Sequence, residues 1–103
     1  MIANNIRIVA KEEGGIVTVK IAITHPSESG LRKGEDGNIV PAHFLTDAFA
    51  SLNGQKVFEL QLGPSLSKNP IISFQLEGNK GDQLHVEFID NKKEQFIADT
   101  KVI

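Results

Sequence analysis

From Val17 to Ile23 every second residue is a branched aliphatic: Val17, Val19, Ile21 and Ile23, separated by Thr18, Lys20 and Ala22. A period of two puts one set of side chains on one face of an extended chain. β-Branched residues suit a pleated, half-buried surface. This stretch therefore demands a sheet with one covered face. His25-Pro26 ends it, because proline has no N–H to give to a ladder. Ile6 and Ile8 show the same alternation before the Glu12-Glu13-Gly14-Gly15 break. After Pro41 it resumes, with Phe44, Thr46, Ala48, Ala50 and Leu52 on one face and Leu45, Asp47, Phe49 and Ser51 on the other. Phe58, Leu60 and Leu62 follow, then Ile72, Phe74 and Leu76, then Leu84, Val86 and Phe88. Phe96, Ala98 and Val102 complete the series, with Thr100 a poorer fit. Turn-forming runs at Asn53-Gly54, Gly78 to Asp82 and Asp90 to Lys93 separate these segments. No stretch carries a helical period of useful length, and there is no internal repeat. The expected architecture is all-β: a single domain over 1–103, folded as an immunoglobulin-like antiparallel β-sandwich of about seven strands.

The hairpin register bears on the outer surface. A three-residue loop, Leu52 to Gly54, is predicted, with Gly54 in the left-handed region followed by a bulge; it puts Ala48 opposite Phe58. Phe49 then lies beside Val57 on the outer face, flanked by Leu45. Leu45, Phe49 and Val57 form an apolar patch with no core to fill, which points to a protein partner.

At 103 residues the chain can bury roughly 65% of its unfolded surface, enough for one core without staples. The net charge is -2, and Lys and Arg are scattered apart from the Arg32-Lys33 and Lys92-Lys93 pairs. A nucleic-acid surface needs clustered cations, so that class is excluded. Cysteine is absent, which removes disulfides, thiolate zinc sites and cysteine nucleophiles. No apolar run approaches transmembrane length and none resembles a signal peptide, so composition alone suggests a cytoplasmic protein with no membrane partner.

Long loops in compact domains are usually functional or disordered. Two stand out here: Ser27 to Pro41, pivoting on Gly30, Gly34 and Gly37, and Gly63 to Pro70. His25 and His43 bracket the first, and with Glu28 or Asp36 they would suit zinc or copper. The spacing matches no compact ligand motif, so neither a metal nor a cofactor is assigned, and His25 beside proline is expected to bond backbone at a strand end. His85 alternates outward between Gln83 and Glu87. Ser65 and Ser67 lack a nucleophile elbow, the Gly-rich turns lack the strand-to-helix context of a phosphate cradle, and the surface acids form no assignable pair. No catalytic set emerges, and the chain is expected not to be an enzyme. Arg32, Lys33 and Lys68 place cations on both loops, which suits an anion such as sulfate or a partner's carboxylate.

His25-Pro26, Gly30, Arg32, Gly37, Pro41-Ala42-His43-Phe44, Leu52-Asn53-Gly54, Gly63-Pro64 and Ser67-Lys68-Asn69-Pro70 follow one another in an order and spacing that resemble the SoxZ family. The likeness continues through Ser73-Phe74, Gly81-Asp82 and Asp90-Asn91-Lys92, covering nearly the whole chain. Departures are modest: Ser27-Glu28-Ser29 stands where Met-Glu-Thr is expected, and Ala48 and Ala50 replace β-branched residues. The resemblance implies a non-catalytic scaffold in thiosulfate oxidation that forms a heterodimer with SoxY, whose cysteine on a flexible arm carries the sulfur substrate, and that meets other Sox enzymes transiently. It implies a periplasmic location, reached with a partner that carries the export signal, in place of the cytoplasmic one. It also implies that His25, Arg32, His43, Lys68 and Asn69 lie near the substrate arm, where Arg32 and Lys68 would attract a sulfonate or thiosulfonate. Two other readings stay open: a metal-binding sandwich using His25 and His43, and an accessory or adhesion-like module.

Overall fold

Alternation becomes structure in seven strands: β1 (Ile6–Glu13), β2 (Ile16–Ile23), β3 (Leu45–Leu52), β4 (Gln55–Gln61), β5 (Ile71–Glu77), β6 (Gln83–Asp90) and β7 (Gln95–Lys101). This computed structural model describes residues 6–66 and 68–103, so Ser67 lies outside the described residues. Every pairing is antiparallel, and the strands form two sheets, ordered β1-β2-β5 and β4-β3-β6-β7. Val17, Val19, Ile21 and Ile23 from one sheet face Ala48, Ala50, Leu84, Val86 and Phe88 from the other, all of them buried. The expected sandwich and its inward-facing residues are thus present. One side of the sandwich closes through the chain end, where the Glu12 N–H donates to the Ile103 carbonyl at 2.8 Å and the Ile103 N–H donates to the Ala10 carbonyl at 3.0 Å. On the other side Phe58 of β4 and Phe74 of β5 stack nearly parallel, with centroids 4.4 Å apart, bridging the two sheets.

Two registers differ from expectation. The β3–β4 hairpin turns through two residues, with Leu52 opposite Gln55, and both Asn53 (φ 52°) and Gly54 (φ 82°) are left-handed. That is the Asn-Gly turn whose twist matches the strands. Ala48 therefore faces Leu60 and Ala50 faces Phe58. The bulge lies further along, between Ala50 and Ser51, where Val57 is the extra residue on β4. It returns the apolar residues of both strands to one face, which a two-residue loop alone would not do.

The second difference removes Leu45 from the expected partner patch. The β3–β6 register shifts between Leu45 and Asp47, leaving Thr46 as the extra residue. Its hydroxyl is occupied by the Ile89 carbonyl and the Asp47 carboxylate. The shift reverses the alternation at the strand start, so Leu45 is 0% exposed in the core. Phe49 and Val57 stay outward, but Phe49 is half-buried, faces Glu59 on β4 and Glu87 on β6, and has the Lys56 ammonium 5.4 Å from its ring centroid. The outer patch is smaller and more charged than the alternation suggests.

Candidate functional site

Four separated sequence segments meet at one end of the sandwich. His25 follows β2, His43 precedes β3, Asn69 precedes β5, and Asp90 ends β6. The long loop is built rather than slack. Glu28 and His43 exchange two backbone hydrogen bonds, of 2.7 and 2.8 Å, the Val40 N–H donates to the Arg32 carbonyl, and the Gly34 N–H donates to the Asn38 carbonyl. The segment is therefore an irregular antiparallel ribbon with its tip near Asp36-Gly37. Gly30 sits at its base with φ 87°, and a Cβ there would meet the Ala42 Cβ at 3.1 Å. Left-handed backbone and close approach together require glycine.

The ribbon base is clamped by Asn91. Its side chain accepts from the Phe44 N–H at 2.9 Å and donates to the Ala42 carbonyl at 2.9 Å, while its own N–H donates to the Phe44 carbonyl. Asn69 clamps the other segment, its Oδ1 accepting from the His25 N–H at 3.0 Å and its N–H donating to the His25 carbonyl at 3.0 Å. Asn69, expected near a substrate arm, is thus occupied in holding His25.

Between the clamps, two imidazoles converge on one carboxylate. His25 Nε2 is 3.2 Å and His43 Nε2 is 2.7 Å from Asp90 Oδ2. The rings meet edge to face with centroids 4.5 Å apart, and Phe96 packs edge-on against His25. His25 and Asp90 are the buried polar residues of the described core, at 1% and 0% exposure. The Ser27 N–H, at 3.2 Å, can only donate, so His25 Nδ1 accepts and the ring proton is on Nε2, aimed at Asp90. The other Asp90 oxygen, Oδ1, accepts from the Lys92 and Glu94 N–H groups at 2.9 Å each. Burial by itself would raise the Asp90 carboxyl, but the Glu94 N–H, both imidazoles and the Lys92 N–H outweigh it and hold it below the ordinary aspartate value. Glu94 adds a second acid, its Oε1 lying 3.1 Å from His43 Nε2. The Ser27 hydroxyl is buried with no hydrogen-bond partner.

The two histidines thus approach each other as the loop closes, but around Asp90 rather than Glu28 or Asp36. Asp90 and Glu94 are the residues that sequence reading missed, since Asp90-Asn91-Lys92-Lys93 reads as an ordinary turn. Glu28 is engaged elsewhere: its carboxylate takes Arg32 Nη2 at 2.7 Å and Nε at 3.1 Å. The Arg32 hydrogen bond is the main reason the Glu28 carboxyl sits below its ordinary value, and the Lys68 charge adds to it. The Glu28 carboxylate that Arg32 binds is thus the acid that also feels the Lys68 charge. Arg32 remains 59% exposed. Leu31 (84%) and Ile39 (53%) stand in solvent on the ribbon, an apolar exposure that the charge-rich loop sequence conceals. His85 lies far along β6 and bonds to Asp99 and Glu87 instead.

The fold is shared with solved proteins of low sequence identity. A superoxide reductase (neelaredoxin) from Ignicoccus hospitalis aligns with a TM-score of 0.67 at 15% identity, covering 96% of this chain and 79% of that one. The sulfur carrier protein SoxY from Chlorobium limicola f thiosulfatophilum aligns with a TM-score of 0.63 at 18% identity, covering 97% and 75%. Identities this low speak for the immunoglobulin-like sandwich alone. No curated protein matches the sequence. The family profile described as sulphur oxidation protein SoxZ matches residues 6–101, which takes in the two loops, the histidine pair and all seven strands. The chain belongs to the SoxZ family and is a sulfur-oxidation protein of the Sox system.

Proposed function

We propose that the chain is the non-catalytic, non-carrier subunit of a sulfur-carrier complex, binding SoxY in the periplasm as a scaffold for its loaded arm. The SoxZ family match over residues 6–101 carries this reading. The absence of cysteine supports it, because a thiol-bound sulfur adduct needs a thiol that this chain does not have. Phe49 and Val57 on the outer sheet, with Leu31 and Ile39 on the ribbon, are among the exposed or half-exposed apolar groups that a partner could cover. An anionic adduct on the arm would meet Arg32 by displacing Glu28.

Co-expression with the SoxY of the same source, followed by size exclusion and native mass measurement, tests the reading. A stable one-to-one heterodimer is expected, and a persistent monomer would end it. Within the complex, Phe49→Asp is expected to weaken association at least tenfold by calorimetry, about 1.4 kcal/mol, as for a central aromatic contact. Unchanged affinity would move the interface away from the outer face of β3.

A further inference from the structure

The end cluster has a chemistry that scaffolding does not use. His43 Nε2 faces two carboxylates at once, Asp90 Oδ2 at 2.7 Å and Glu94 Oε1 at 3.1 Å. Asp90 is 0% and His43 19% exposed at the side chain, while Glu94, 53% exposed, closes the cluster from the solvent side.

We propose that His43, Asp90 and Glu94 bind a divalent metal ion of the zinc type, with His25 holding Asp90 in position from behind. Nitrogen and carboxylate ligands lie about 2.0–2.2 Å from zinc, so neighbouring donors of a tetrahedral site sit roughly 3.3 Å apart. The observed separations of 2.7 and 3.1 Å fall short of that spacing by roughly 0.6 and 0.2 Å, so the cluster must open slightly to admit an ion. Glu94, on the turn between β6 and β7 and 53% exposed, is free to supply its own adjustment, and His43, partly exposed on the ribbon side, supplies the withdrawal from Asp90. Asp90 itself is not free to move, since Oδ1 is held by two backbone N–H groups and Oδ2 alone faces the cluster.

His25 is excluded as a ligand by its own hydrogen bonds. A neutral imidazole bound to metal through Nε2 must carry its proton on Nδ1, and that atom faces the Ser27 N–H. Two donors would then oppose each other. His25 keeps its proton on Nε2 and donates it to Asp90 Oδ2, the supporting hydrogen bond that metal-binding carboxylates usually have. Three protein ligands leave a fourth position on the partly exposed side of His43 and Glu94, open to water or an exogenous donor. This assignment is independent of the partnership with SoxY.

The test is titration of the full, chelator-treated chain with Zn2+ by calorimetry, with Co2+ absorption as a spectroscopic probe. One ion per chain is expected, at micromolar affinity or tighter, with a visible Co2+ band. Glu94→Gln, which alters an exposed side chain, is expected to weaken binding at least tenfold while leaving the thermal melt of the metal-free protein unchanged. His43→Gln should abolish the Co2+ band. His85→Gln, which removes the exposed cluster on β6 and β7, should change neither readout. The proposal is overturned if binding is no tighter than millimolar. It is equally overturned if binding survives both Glu94→Gln and His43→Gln, or if His85→Gln removes it.

Discussion

Two histidine–carboxylate clusters each take a carboxylate from β6, and burial makes them different objects. At the end of the sandwich, His25, His43 and Asp90 sit with the carboxylate wholly enclosed and every Asp90 oxygen engaged. On the outer face, His85 Nδ1 lies 2.7 Å from Asp99 Oδ1 and Nε2 lies 3.4 Å from Glu87 Oε2, with Asp99 55% exposed. The distances are alike, but the surroundings are not. Exposed pairs are screened and give little net stabilisation, whereas removing one partner of an enclosed charge strands the others without water. The end cluster also joins three chain segments, while the outer one joins two neighbouring strands already paired by backbone. One set of contacts therefore organises the loops and the other decorates a sheet.

Breaking the enclosed cluster gives the largest expected effect. Asp90→Ala removes the acceptor of two backbone N–H groups and two imidazoles. His43 can turn its remaining proton elsewhere, but His25 cannot, because the Ser27 N–H fixes its tautomer. The expected loss is about 3–5 kcal/mol in urea unfolding at neutral pH. A loss below about 1 kcal/mol would mean that the loops are held by Asn69 and Asn91 alone.

The outward position of His85 was legible in the sequence, its partner Asp99 was not, and the inner cluster was legible only in part. Alternation places His85 outward between Gln83 and Glu87, and strand pairing then puts Asp99 opposite it. His25 and His43 show themselves as the ends of a long loop, but their acidic partner comes from β6, far along the chain, and such a meeting follows from topology rather than from any local pattern. The apolar alternation revealed seven strands and the inward residues because period two survives most of each strand. It failed at Leu45 and in the β3–β4 hairpin, where single extra residues, Thr46 and Val57, reverse the phase. A bulge has no signature strong enough to be read ahead of the pairing it disrupts.

A smaller effect separates the clusters through the loop that only one of them needs. Gly30→Ala meets the Ala42 Cβ at 3.1 Å beside His43 and forces a left-handed alanine. The expected cost is about 1–2 kcal/mol, together with faster hydrogen exchange at the Glu28 and His43 amides and no change at His85. Equal protection in both regions would show that the ribbon base does not support the end cluster.

The smallest effect belongs to the exposed cluster and is visible as a dependence on pH. Burial lowers the His85 value, but hydrogen bonds and charge from Asp99, and then from Glu87, outweigh it and leave the value above that of an ordinary histidine. A raised folded value means that the native state holds its proton more tightly than the unfolded chain does. The stabilisation is then complete below the unfolded value, about 6.5, and fades as pH rises through the folded value. With the imidazole about a third exposed, screening reduces the contribution to a few tenths of a kcal/mol. Urea unfolding of the wild type and of Asp99→Asn isolates it, since the other histidines are common to both proteins. The wild-type advantage should be largest near about pH 5.5 and smaller near about pH 8.5. An advantage that stays level or grows across that range would assign the Asp99 contact to packing rather than to charge, and the two clusters would then differ in kind as well as in burial.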